Sequence, residues 1–234
     1  MGATPSNERL LLLVNGTPLA GSPRSGLRDL PYLASLAQRG VNARLKMAAR
    51  GMPVWTAFAT GAPQATGPLD EKMTFWHLLA DKGKQVVTRN PMEDAREALT
   101  LAAHENWHFM MLVYPSIAAE AGKETFSRWQ EWDKAIAGIG MAAGAQTAVM
   151  VVGLPTATDP GVLVAGGGFI AQLGDVGTMD LLDLAPTILW LLDVPPPRQM
   201  TGRVWDELWR PEAGWSDAEQ EALLQHLRGL GYLS

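Results

Sequence analysis

The sequence contains no cysteine. Disulfides, thiolate metal sites and a cysteine nucleophile are therefore excluded, while the redox compartment stays open. Histidine is nearly as scarce: there are 4 in 234 residues. These are His77, His104, His108 and His226, and none follows an aspartate or precedes a glycine. No basic run stands out among 19 Lys+Arg and 24 Asp+Glu, and the net charge is −5. Nucleic acid and an anionic membrane surface are not expected partners. Long apolar runs are missing too. The N-terminal one, Leu10 to Val14, is far shorter than the roughly 20 residues of a membrane span. It follows Asn7-Glu8-Arg9 without the layout of a signal peptide, so a cytoplasmic protein with no membrane span is expected. Met1-Gly2-Ala3-Thr4-Pro5-Ser6 fits the loose myristoylation pattern, which is short enough to arise by chance.

What is present describes a folded globule: 47% apolar and 18% charged residues. The length suits one sizeable core, and a single domain over 1–234 is expected. Leu10–Val14, ending in Asn15-Gly16, reads as a buried parallel strand and a turn. Further strands are expected at 41–47, 85–88, 109–114, 148–152 and 161–165. Helical spacing predicts helices at 30–39, 53–60, 74–82, 93–105, 125–143 and 181–192. A last helix, at about 216–230, opens with Ser216 and Glu219 as a capping box. Apolar strands alternating with helices indicate a three-layer αβα sandwich around a mostly parallel sheet.

Several segments, in order, resemble the alkaline phosphatase superfamily, in its type I phosphodiesterase, nucleotide pyrophosphatase and sulfatase-like branch. Leu33-Ala34-Ser35-Leu36-Ala37-Gln38-Arg39-Gly40-Val41 is similar to an early helix and strand of that family. Pro53-Val54-Trp55-Thr56-Ala57-Phe58-Ala59-Thr60-Gly61 is similar to the helix after its nucleophile. Phe75 to Lys84 (FWHLLADKGK) matches a third segment, and Leu182 to Leu192 (LDLAPTILWLL) with Gly202-Arg203-Val204 a fourth. Leu227 to Leu233 closes the chain in the family's manner. The resemblance implies an alkaline-phosphatase-like core without a large cap. It also implies two metals, normally zinc, held by Asp and His at the carboxyl ends of the strands, with a Thr or Ser nucleophile. Such a pair clamps both oxygens of an in-line displacement.

The positions that should carry this chemistry do not. Where the resemblance calls for Asp-Gly after the first strand, Asn15-Gly16 stands. The nucleophile position, two residues before Pro53, is Gly51. After 109–114, Pro115 to Gly122 holds neither Asp nor His, and Glu120 is its one ionisable group. Where Asp-His-Gly is implied after 148–152, Gly153-Leu154-Pro155 follows. Where a final His is implied, Val176-Gly177 stands. A dinuclear site cannot be built from Leu, Val, Pro and Gly. The expected function is that of a pseudoenzyme: a binding, structural or complex-forming subunit with no catalytic residues and no cofactor. The rival is a metal-dependent phosphoesterase or phosphodiesterase with relocated residues, such as a nucleophile at Thr56 or Thr60.

His104-Glu105-Asn106-Trp107-His108 matches H-E-x-x-H, so a zinc hydrolase built on His104 and His108 is a distant alternative. That motif needs one continuous helix, and the apolar stripe Ala95, Ala98, Leu99, Ala102, Ala103 turns His104 toward solvent. Gly166-Gly167-Gly168 lacks the Lys-Ser/Thr of a phosphate loop and reads as a tight connection. Of 9 tryptophans, Trp205, Trp209 and Trp215 cluster near the end. They mark either packing of the tail or a candidate surface for a protein partner or a second copy.

Overall fold

A computed structural model describes residues 8–16, 29–47, 53–63, 69–89, 95–104, 106–114, 123–210 and 216–233. The strands are β1 (Arg9–Asn15), β2 (Val41–Lys46), β3 (Val86–Arg89), β4 (Phe109–Tyr114), β5 (Thr147–Gly153), β6 (Gly161–Gly166) and β7 (Gly174–Asp180). The helices are α1 (Pro31–Arg39), α2 (Val54–Thr60), α3 (Phe75–Asp81), α4 (Ala95–Ala103), α5 (Lys123–Ala143), α6 (Leu184–Leu191) and α7 (Asp217–Gly229). The strands form one sheet in the order β3-β4-β1-β5-β6-β2-β7. β1, β4 and β5 lie in its centre and are covered on both faces, which is why each is apolar almost without interruption.

Side chains alternate across the sheet and feed two cores. Leu10, Leu12 and Val14 pack with Phe58 of α2, Phe75 of α3 and Leu189 of α6. Leu11 and Leu13 pack with Leu33 of α1, Ala98 of α4, Ile136 of α5 and Leu227 of α7. The result is the expected three-layer sandwich. No described helix is long and apolar enough to cross a membrane.

The sheet is mostly parallel. Only β6 runs antiparallel to its neighbours β5 and β2. The loop 154–160 that joins β5 to β6 is too short for a parallel crossover, which takes a dozen residues or more. β7 was not expected from the sequence. Its residues, GDVGTMD, carry two glycines, two aspartates and a single buried side chain, Met179. It forms the edge of the sheet beside β2, with a register irregularity opposite Asn42 to Arg44. Polar, irregular edges of this kind resist pairing with other chains.

Capping explains where several helices begin. Ser216 and Glu219 form the expected capping box on α7. The Thr74 side chain accepts from His77 N–H on α3. α1 has no side-chain cap of its own. A residue a hundred positions away supplies it: both oxygens of Asp133, on α5, accept N–H bonds from Tyr32 and Leu33 at 3.0 Å.

Candidate functional site: the carboxyl crest of the sheet

β1 and β5 run side by side in parallel and end together, with Asn15 in register with Gly153. Ligands in open α/β sheets are bound beyond such carboxyl ends. Asn15 is fully buried, and its carbonyl accepts the Leu154 N–H at 3.1 Å. Leu154 is 4% exposed and belongs to the core shared with α2, α3 and α6. On Asn15's other side stands Tyr114, the last residue of β4. Burial pushes the Tyr114 phenol well above its ordinary range, and its ring meets Trp132 edge-on at 5.9 Å. Neither the Tyr114 hydroxyl nor the Trp132 indole N–H has a hydrogen-bond partner among the described residues.

The crest thus offers a neutral amide, a glycine, a buried leucine and a phenol held neutral. Zinc is bound by thiolate, imidazole or carboxylate, and these side chains include none of them. The residues at β1 and β5 do not fit the dinuclear centre that the family resemblance implies. Among the described residues, no group of three or more His, Cys, Asp or Glu lies close enough to hold a metal ion.

Of the other positions marked in the sequence, Gly51, Glu120 and the rest of Pro115 to Gly122 lie outside the described residues. Val176 does not join Asn15 and Gly153. It is not in a turn at the crest but inside β7, two residues after Gly174, which pairs with Val41 at the amino end of β2. With β5, β6 and β2 between them, β1 and β7 are about 19 Å apart at the usual strand spacing. Thr56 and Thr60, considered as displaced nucleophiles, are buried within α2 at 8% and 1% exposure. The Thr60 hydroxyl donates to the Thr56 carbonyl at 2.8 Å.

The H-E-x-x-H match spans a boundary. α4 ends at Ala103, and His108 leads into β4. Glu105 lies outside the described residues. His108 Nδ1 accepts the Gln85 N–H at 3.0 Å, and burial, then the nearby Lys84, holds its imidazole below the ordinary range. One helix carrying both imidazoles is therefore not formed. Gly166-Gly167-Gly168 packs against β5: a Cβ on Gly168 would stand 2.4 Å from Ala148 N. That is a steric reason for glycine with no phosphate involved.

Two of the segments that resemble the family, 53–61 and 182–192 with 202–204, hold α2, α6 and the loop after α6 together. Gly61 ends α2 in the left-handed region, at φ 57°, against Pro186 and Ala185 of α6. A Cβ on Gly202 would lie 2.0 Å from the Leu182 carbonyl oxygen. Asp183 is the centre of this region, a role that its place in the sequence motif did not reveal. It accepts the Arg203 N–H at 2.7 Å, the Trp205 indole N–H at 2.9 Å and the Asp180 N–H at 3.2 Å. Trp205 is thus turned inward, with the Arg203 guanidinium over its ring at 4.5 Å. Trp209 is 39% exposed and stacks edge-on with Trp190. Trp215 lies outside the described residues.

No family model matches the sequence, and no curated protein matches it. Solved structures do match the fold. Human ectonucleotide pyrophosphatase/phosphodiesterase 5 aligns with a TM-score of 0.65 at 9% identity, over 89% of this chain and 100% of that one. Its murine counterpart aligns with a TM-score of 0.61 at 9% identity, over 86% of this chain and 99% of that one. A sulfatase of Bacteroides thetaiotaomicron, from its glycosaminoglycan metabolism, aligns with a TM-score of 0.61 at 10% identity, over 86% of this chain and 76% of that one. At such identities the likeness speaks for architecture and not for activity. The chain shares the α/β fold of these phosphodiesterase and sulfatase structures.

Proposed function

We propose that this chain is a pseudoenzyme of the alkaline-phosphatase-like fold, a binding or complex-forming subunit that does not hydrolyse esters through a metal pair. One observation carries the reading. Where β1 and β5 end side by side, the side chains are the buried amide of Asn15, none at Gly153, and Leu154 turned into the core. The retained family segments support it from the other side, because Gly61, Asp183 and Gly202 serve packing and hydrogen bonding. Selection for a stable frame accounts for them without any turnover. The role then rests on what the frame binds, and the exposed indole of Trp209 is the proposed contact for a protein partner or a second copy.

The test is an ester hydrolysis assay on purified protein. Nitrophenyl phosphate, bis-nitrophenyl phosphate and nitrophenyl sulfate are supplied with and without added zinc. The expected result is no turnover above the buffer rate. Turnover of the phosphate esters that depends on zinc, is abolished by a chelator and follows the protein through purification would establish the rival reading, a metal-dependent phosphoesterase or phosphodiesterase with relocated residues.

A further inference from the structure

The carboxyl crest is one pole of the sheet. At the other, where β1, β4 and β5 begin, lies a cavity of about 940 Å³ lined by residues such as Arg9, Trp107 and His108. Arg9 is in register with Thr147 there, six residues before Asn15, so the two poles are about 20 Å apart. A cavity of this size suits a small organic ligand. Its charge is balanced. The Arg9 guanidinium donates to the carbonyls of Ala102 and Ala143, in the last turns of α4 and α5, and lies over the Trp107 ring at 4.2 Å. Two helix C-termini, each carrying about half a negative charge, thereby answer the cation. Among the described residues, no acid lines the cavity.

What remains on offer is neutral hydrogen bonding. Trp107 is 2% exposed, and its buried indole N–H has no hydrogen-bond partner among the described residues. A buried donor left open is costly, and an acceptor oxygen brought by a ligand removes that cost. His108 Nδ1 accepts the Gln85 N–H, so the single proton of the neutral ring sits on Nε2 and makes a second donor. The exposed side-chain amides of Gln85, Asn106 and Gln146 line the same cavity. An amide both donates and accepts, as a sugar hydroxyl does. We propose that this cavity at the amino pole binds a neutral sugar of one or two rings, with its oxygens on the Trp107 and His108 N–H groups and its hydroxyls among the three amides. A carboxylate or phosphate fits less well, because the Arg9 guanidinium is already committed to the helix ends. The site lies at the opposite pole from the crest and does not rest on the loss of the metal pair.

The test is NMR of the full chain. The Trp107 indole N–H resonance is assigned by its disappearance in Trp107→Phe. Glucose, N-acetylglucosamine and maltose are then titrated into the parent, with glucuronate and inorganic phosphate as anionic comparisons. At least one of the three neutral sugars should shift that resonance saturably at millimolar concentration. Gln85→Ala combined with Gln146→Ala, both at exposed positions, should weaken the binding roughly tenfold and leave the unfolding temperature unchanged. No saturable shift with any of the three sugars up to roughly 50 mM would overturn the proposal. So would tighter binding of glucuronate or phosphate than of the neutral sugars, or undiminished binding in the double variant.

Discussion

Gly61→Ala tests the claim that the family-like segments survive as packing. Gly61 closes α2 at φ 57°, and its carbonyl accepts the Thr201 N–H at 3.0 Å. A methyl group placed there would meet Pro186 Cδ at 2.9 Å, Ala185 Cβ at 3.0 Å and the Leu182 carbonyl oxygen at 3.2 Å. The left-handed backbone costs a non-glycine residue roughly 1–2 kcal/mol. Overpacking a close-packed contact adds about 1–3 kcal/mol. Since α6 can shift a little, about 2–4 kcal/mol is expected in total, a large part of the 5–15 kcal/mol that holds typical domains together. For a chain of this length that lowers Tm by roughly 5–15 °C. Gly83→Ala is the control. Gly83 has φ 81°, but no atom lies within 4 Å of the added methyl, so only the backbone strain remains. Urea and thermal unfolding, followed by tryptophan fluorescence, give both values. If Gly61→Ala costs no more than Gly83→Ala, the α2–α6 contact does not hold this region and the packing explanation of the motif fails.

Asp183→Ala leaves the Arg203 and Trp205 N–H groups without their acceptor; a loss of about 3–5 kcal/mol in urea unfolding is expected, and a loss under about 1 kcal/mol would remove Asp183 from its central place. Asn15→Asp places a carboxylate at a fully buried position. The variant should be destabilised increasingly as pH rises from about 4 to 7, whereas a pH-independent cost would mean that water reaches the crest. Asp133 is fully buried, with its two oxygens on the N–H groups that open α1. Its folded-state value, raised from 3.8 to about 6, means that the stabilisation is complete below about 3.8 and lost as pH rises through 6. That amounts to about 3 kcal/mol at most. Between about pH 4 and 7, the parent should therefore lose stability relative to Asp133→Asn, and parallel pH profiles for the two would contradict the raised titration of Asp133.

The layers of the fold were legible because central strands such as Leu10 to Val14 must be apolar on both faces. β7 was not, because an edge strand with one buried side chain carries no periodic signal. That is also why Val176, read as a position in a site turn, turned out to lie within a strand at the far edge. The pairing of Asn15 with Gly153 was not legible, because nothing in the sequence says that β1 and β5 are neighbours in the sheet. Asp133 could not be read from sequence. Its partners Tyr32 and Leu33 lie about a hundred residues away, and nothing local marks a helix cap supplied from another helix. Asp183 was visible as part of a motif, but its hydrogen bonds to Arg203 and Trp205 depend on the return of the chain after α6.

Zinc stoichiometry decides whether this frame holds a metal pair. The purified chain is equilibrated with excess zinc, passed through a desalting column and measured for zinc and protein by elemental analysis. Well under one zinc per chain is expected. About two per chain, retained through desalting and removed only by a chelator, would contradict the pseudoenzyme reading.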